Sequence, residues 1–253
     1  HQYKRKYLLD NFHIPVRKAT PRERMEPFER CRRGVTKLIA RHQSFHERRY
    51  IAQEGIYFDP RLLEFRPKGT VYIDGLWQNE RYFMDVETLI RQELRIFPPP
   101  DAANQEMAEK IRECNSICVH IRCYGNPHSV SNLDIGESYY SRAVNYIFDR
   151  VPTPHFFIFT DNPDVACTML SLPKGMFTCI IHNLSVENAY ADLWLMSQCK
   201  HFIIANSTFS WWGAWLSDSI LKIVIVPDMD LEKVAAWDFR GLIPEKWILL
   251  PTE

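Results

Sequence analysis

Residues 177–226 read FTCIIHNLSVENAYADLWLMSQCKHFIIANSTFSWWGAWLSDSILKIVIV. Three short apolar runs, Phe177 to Ile181, Phe202 to Ala205 and Ile223 to Val226, have the length and composition of strands buried on both faces. Between them, Val186 to Cys199 and Phe209 to Leu216 read as helices. The same alternation extends toward the N-terminus, with strands at Ile117 to Ile121 and Phe156 to Phe159 and helices at Tyr139 to Arg150 and Pro163 to Leu170. Strands alternating with helices predict an α/β fold in which a doubly wound, Rossmann-like parallel sheet is covered on both faces.

The order fades before Phe97-Pro98-Pro99-Pro100-Asp101, where a proline run stops any helix and marks a linker. Two domains follow from this reading, 1–100 and 101–253. The clearest early strand is Thr70 to Asp74, followed by the aromatic-rich Leu76-Trp77-Gln78-Asn79-Glu80-Arg81-Tyr82-Phe83. The chain has 253 residues, with 46% hydrophobic and 25% charged residues, a mixture that excludes disorder. Its apolar runs are strand-length and fall far short of a membrane span.

The charges balance at 31 basic and 31 acidic residues, but the first fifty positions hold 14 Lys/Arg against 5 Asp/Glu. Such a basic front end suits peripheral contact with an anionic membrane or an acidic acceptor, or is simply a solvated face. No nucleic-acid motif accompanies it, so nucleic acid is not an expected partner. The seven cysteines, Cys31, Cys114, Cys118, Cys123, Cys167, Cys179 and Cys199, form no CxxC pair and point to a reducing compartment. The expected location is the cytoplasm of a bacterial-type cell, with membrane association through the basic region; the Golgi lumen is the alternative if an anchor upstream of His1 was removed.

In an open parallel sheet, ligands bind beyond the carboxyl ends of the strands, so the residues after each strand define a candidate site. The first strand of the sheet runs into His120-Ile-Arg122 and the next into Thr160-Asp161-Asn162; the third leads to His182-Asn183 and the fourth to Asn206-Ser207-Thr208. His120 and Arg122 alternate along a strand and share a face. Arg122 offers a planar fork for phosphate oxygens. Ser207 and Thr208 stand where a strand turns into a helix, so their hydroxyls and free backbone N–H groups suit phosphate or else simply cap the helix. Asp161 either belongs to the site or caps the helix that begins at Asn162-Pro163.

There is no G-x-G-x-x-G and no G-x-x-x-x-G-K-[ST], which counts against a dinucleotide dehydrogenase and a P-loop nucleotidase and leaves a sugar nucleotide as the natural ligand. A zinc site at His42, His46 and Glu47 would need both histidines on one helix and lacks the His-Glu-x-x-His order. Asp228-Met-Asp230 imitates a metal-binding Asp-x-Asp but reads as a turn after Pro227. Trp211, Trp212 and Trp215 at helical spacing read as core. Asn183-Leu-Ser185 and Asn206-Ser-Thr208 are formal glycosylation sequons inside the proposed site.

Residues 187–216, Glu187-Asn-Ala-Tyr-Ala-Asp192 through Leu-Met-Ser-Gln-Cys199-Lys-His to Asn206-Ser-Thr-Phe209-Ser210-Trp-Trp-Gly-Ala-Trp-Leu216, resemble the α-1,2-fucosyltransferases and their bacterial relatives, glycosyltransferase family 11. Gly75 to Phe83, His120-Ile-Arg122 and Phe159-Thr-Asp161 agree with that family in order and spacing, and the likeness spans roughly 70–250. The resemblance implies a GT-B-like fold: a Rossmann-like donor domain and a smaller N-terminal, acceptor-side domain that lacks its first strand, because the family's opening Gly-rich turn is absent here. It implies an inverting transfer of L-fucose from GDP-fucose to a galactose-ended oligosaccharide or glycoconjugate in α-1,2 linkage, with no metal and no cofactor.

Donor-binding residues carried over by the motifs, or placed by the strand ends, are His120, Arg122, Asp161, His182, Asn183, Asn206, Ser207, Thr208, Phe209 and Ser210. Arg122 and Ser207/Thr208 would neutralise the diphosphate, and His182 or Asn183 would meet the guanine. The family's HxRRGD box reads His120-Ile-Arg122-Cys123-Tyr124-Gly125-Asn126 here, without the second Arg and the Asp. Glu137, shortly downstream of the altered box, is the candidate base, and Arg122 is the other catalytic candidate. The alternatives are a sugar-nucleotide-binding homologue with little transfer activity and a glycosyltransferase using another nucleotide sugar.

Overall fold

The computed structural model describes residues 7–15, 17–54, 57–124, 135–229 and 240–253. The chain divides into two compact units. One takes the described residues within His1–Ile14, Arg91–Asp230 and Ile243–Glu253; the other takes those within Pro15–Ile90 and Leu231–Leu242.

The second of these contains helix α1 (Glu29–Ala40) and a two-stranded parallel sheet of β1 (Tyr50–Ala52) and β2 (Tyr72–Asp74), with Tyr50 opposite Tyr72. The strand expected at Thr70 to Asp74 forms over its last three residues. The helix that would have carried both His42 and His46 does not exist, since α1 stops at Ala40 and His46 lies in the 3-10 turn Phe45–Glu47. Short helix α2 (Glu87–Glu93) follows.

The larger unit is built on six parallel strands. Helix α3 (Ala102–Glu113) begins where the Asp101 carboxylate accepts from Asn104 N at 2.9 Å, a side-chain cap placed directly after the proline run. The chain then alternates: β3 (Asn115–Ile121), α4 (Glu137–Phe148), β4 (Pro154–Thr160), α5 (Pro163–Met169), β5 (Phe177–Ile180), α6 (Ala189–Gln198), β6 (His201–Ile203), α7 (Thr208–Leu216), β7 (Val224–Asp228) and β8 (Ile248–Pro251). The order across the sheet is β5-β4-β3-β6-β7-β8, and every pairing is parallel. Counted from its own first strand this is 3-2-1-4-5-6, the doubly wound Rossmann-like order.

The apolar runs form strands because both faces are covered. On one face Ile117, Val119 and Ile121 of β3 pack with Tyr139, Tyr140, Ala143, Val144 and Ile147 of α4. Cys118 and His120 alternate to the other face. There α6 and α7 approach closely at Gly213, where a Cβ would come within 2.9 Å of Met196 Cβ. Trp211 and Trp215 are buried in α7 with stacked rings 6.2 Å apart.

Two local expectations change. Val186 to Cys199 is not one helix: Ser185 accepts from Asn188 N to close a 3-10 turn, Val186–Asn188, before α6 begins. Asp228 does not make a turn; it is the last residue of β7, in register with Pro251, while Asp230 lies outside the described residues. Helix α3 and edge strand β8 had no counterpart in the sequence reading. No helix among the described residues is long and apolar enough to cross a membrane.

Candidate functional site

The strand order reverses direction between β3 and β6, and the crevice beyond their carboxyl ends is the position where sheets of this order hold ligands. Two loops meet there. Tyr124, after β3, donates from its hydroxyl to Asn206 O, after β6, at 2.8 Å. This bond joins residues 82 positions apart and fixes the mouth of the crevice.

His120 closes the floor. Only 5% of it is exposed, its ring lies 6.0 Å from that of Phe209, and Tyr140 donates from its hydroxyl to the His120 carbonyl. Burial, with the Arg122 cation adding to it, pushes the imidazole down to about 3, so it is neutral at any physiological pH. Its Nδ1 has no hydrogen-bond partner among the described residues.

Arg122 stands two residues further along the same face, half-exposed, with Nη1 2.5 Å from Asp161 Oδ2. The other Asp161 oxygen accepts from Cys123 N at 3.0 Å. Asp161 therefore does not cap the following helix. Asn162 does, its side chain accepting from Val165 N with Pro163 at the first helical position. One carboxylate thus holds both the guanidinium and the backbone of the loop that carries it.

Beyond β6, Ser207 occupies the N-cap position of α7 with extended backbone, yet its side chain makes no capping hydrogen bond. Capping therefore does not explain this serine. The first turn of α7 contains no acidic residue, so the partial positive charge of the helix start is not offset from within the helix. Ser210, one turn on, donates from Oγ to Ser207 O. Asn206 and Ser210 are buried, and Ser207, Thr208 and Phe209 are half-buried at the crevice.

At the end of β5 the structure separates two residues treated together in sequence. Asn183 is buried and its amide is committed: Nδ2 donates to Asn104 Oδ1 and Asp192 Oδ1, while Oδ1 accepts from Asn104 Nδ2. His182 is exposed and touches the same Asn104 Oδ1 through Nε2 at 3.1 Å. Burial pushes the Asp192 carboxyl up to about 7, and the Asn183 hydrogen bond offsets only part of that. Neither Asn183 nor Asn206, with 4% and 0% exposure, can accept a glycan in the folded chain.

Glu137 is the first residue of α4 and is exposed. Its neighbour Ser138 donates to Thr252 O, just past β8, three strands from β3. No contact among the described residues joins Glu137 to Arg122 or Asp161, and Gly125 and Asn126 of the altered box lie outside the described residues. Sequence reasoning missed Tyr124, Asn104 and Asp192 as parts of the edge. Tyr124 lay inside the quoted box and Asp192 inside the quoted acidic segment, but neither position showed a partner. Among the described residues no three His, Cys, Asp or Glu side chains converge on a metal-sized space.

Residues 35–238 match the glycosyl transferase family 11 model. An alpha-1,2-colitosyltransferase of Escherichia coli is 35% identical over 187 residues, covering 72% of this chain and 63% of the relative. The O-antigen biosynthesis glycosyltransferase WbnK of Escherichia coli is 36% identical over 117 residues, 45% of this chain and 38% of the relative. The chain spans less than two thirds of the length of either relative. With most of its length matched by that model, the chain belongs to glycosyl transferase family 11.

Proposed function

We propose that the chain belongs to an inverting glycosyltransferase that moves L-fucose from GDP-fucose to the galactose of an oligosaccharide or glycoconjugate, forming an α-1,2 linkage. The supporting observation is the convergence, at the point where the strand order reverses, of Arg122 and the uncapped start of α7. Fixed positive charge at that point suits a diphosphate. A GT-B-like architecture goes with this reading, the six-stranded sheet being the donor half.

In the transfer, the bond between the anomeric carbon and the terminal phosphate oxygen breaks, and its electron pair leaves with GDP. The acceptor hydroxyl attacks the opposite face of an oxocarbenium-like sugar and gives up its proton. Negative charge grows on the departing diphosphate. Arg122, held by Asp161, with the Ser207 and Thr208 hydroxyls and the N–H groups of the α7 first turn, stabilises that charge in place of a cation. His182, exposed while Asn183 is committed, is the residue of that pair left to meet the guanine. Glu137 is the proposed base.

Two second readings have specific support. The colitosyltransferase relative makes colitose a second candidate for the transferred sugar. Cys123, where the family carries its second Arg, favours a donor-binding homologue with weak transfer. A thermal-shift panel of GDP, UDP, ADP and CMP in chelator tests the donor reading: GDP should raise the melting temperature and the others should not. A shift that appears only with Mn²⁺ would contradict the metal-free site. GDP release from GDP-fucose, with and without galactosides, separates transfer from binding.

A further inference from the structure

Helix α1 is turned inside out. Cys31, Val35, Leu38 and Ile39 recur at i, i+4, i+7 and i+8, the spacing of an apolar stripe that normally faces a core. Yet Val35, Leu38 and Ile39 are 59%, 61% and 53% exposed, and Cys31 and the preceding Phe28 are exposed as well. The covered side of the helix carries Glu29, Thr36, Lys37 and Ala40. Lys37 reaches Asp74 of β2 at 3.9 Å and lies over the Tyr50 ring. The polar side is docked and the apolar stripe faces outward.

A shallow groove of about 460 Å³ borders one edge of that stripe, lined by Met25, Cys31, Arg32, Val35 and Thr36. Of these, Arg32 is the cation. Arg30, Arg32, Arg33 and Arg41 lie on the same helix or directly after it and make no ion pair among the described residues. From Pro15 to Tyr50 the chain carries 11 Lys/Arg against 4 Asp/Glu.

We infer that α1 is an interfacial helix that seats this unit on an anionic lipid surface. Apolar side chains enter the acyl boundary while arginines meet headgroup phosphates, the combination by which a basic amphipathic helix lies in a membrane plane. The charge distribution selects this occupant. A second copy meeting the stripe across a two-fold axis would bring the same arginines against one another. A nucleic acid would use the arginines and leave the stripe in water.

The test is flotation of the 253-residue chain with phosphatidylcholine vesicles containing about a third phosphatidylglycerol, beside pure phosphatidylcholine. The chain should float with the anionic vesicles, be released by high salt, and stay behind with the neutral ones. Arg32→Gln with Arg41→Gln should lower partitioning about fivefold per charge. Val35→Asp with Leu38→Asp, at positions too exposed to unfold the chain, should lower it about tenfold or more while leaving the GDP-induced thermal shift intact. No flotation with anionic vesicles overturns the inference. Flotation that survives the two aspartates also overturns it, since attraction would then be diffuse charge alone. A dimer in sedimentation that the same aspartates dissolve makes a second copy the occupant. Because the readout is vesicle binding, its failure leaves the donor site untouched.

Discussion

The two units use different means to hold short strands. In the six-stranded sheet, β3 buries Ser116 to Ile121 without a break, and β4 buries six of its seven residues. In the two-stranded sheet, only Tyr50 and Ile51 are buried, and specific polar bonds do much of the joining. Tyr50 donates to Asp74 Oδ2 at 2.6 Å, and Gln53 Oε1 accepts from both Leu76 N and Trp77 N. A sheet covered on both faces leaves its strand ends as the outlet for polar side chains, so topology itself gathers His120, Arg122, Asp161 and Asn206 at one edge. A unit held by local polar bonds gathers nothing comparable, and its apolar helix face is left outward.

The largest expected effect concerns the catalytic assignment within the sheet unit. Glu137→Gln should lower transfer by about 10²–10⁴ while GDP affinity stays unchanged, the range for loss of a general base. Transfer at the parental rate would remove Glu137 and send the search to another carboxylate. The next substitution contrasts the units directly. Phe156→Ala, at a fully buried site, should cost about 3–5 kcal/mol in urea unfolding, whereas Leu38→Ala, 61% exposed, should stay within about 0.5 kcal/mol. Comparable losses at both positions would mean that α1 is packed against protein after all.

The carboxyl edge should also respond to pH through two buried groups of opposite sign. Asp192, raised to about 7 by burial, contributes stability that is fully present below its unfolded value of about 3.9 and is lost as pH rises through about 7. His120, lowered to about 3, contributes stability that is present above about 6.5 and lost as pH falls through about 3. Between them lies a window, near pH 5, where both are neutral. From pH 5 to about 6.5 the two contributions change in opposite senses and offset each other, so the parent should be nearly flat there, while Asp192→Asn, which keeps only the His120 contribution, should gain stability as pH rises over that range. An unchanged slope would show that Asp192 ionises without cost.

The smallest effect is at Ser207. Its side chain does not cap α7, so Ser207→Ala should leave the melting temperature unchanged and weaken GDP by about 0.5–1.5 kcal/mol, one hydrogen bond. A falling melting temperature with unchanged GDP affinity would reverse that assignment.

Continuous apolar runs such as Ile117 to Ile121 made the sheet legible, because a run that short and that apolar has one stable place in an α/β fold. The rule that ligands sit at the carboxyl edge then pointed to a candidate site, and the structure brings those strand ends to one edge. Helix α3 was hidden because its buried positions are Asn104, Ala108 and Ile111, with one large apolar side chain among them. Strand β8 was hidden because an edge strand pairs on one side only and buries little of itself. The partners within the site were hidden by separation along the chain: Cys123 and Asp161 are 38 residues apart, and Asn104 and Asn183 are 79 apart. Asp161 was a plausible cap for α5 from sequence, and only its ion pair with Arg122, together with the Asn162 cap, assigns it to the site edge instead.

The central claim is that Arg122 and the start of α7 form a metal-free diphosphate site at the reversal of the strand order. Calorimetric titration of GDP in chelator, on the parent chain and on folded Arg122→Ala, tests it most directly. The account expects GDP to bind the parent without added metal and to bind the variant more weakly by about 1.5–3 kcal/mol, the range for a charge-assisted hydrogen bond. Equal affinity in the two proteins, or parental binding that requires a divalent cation, would contradict it.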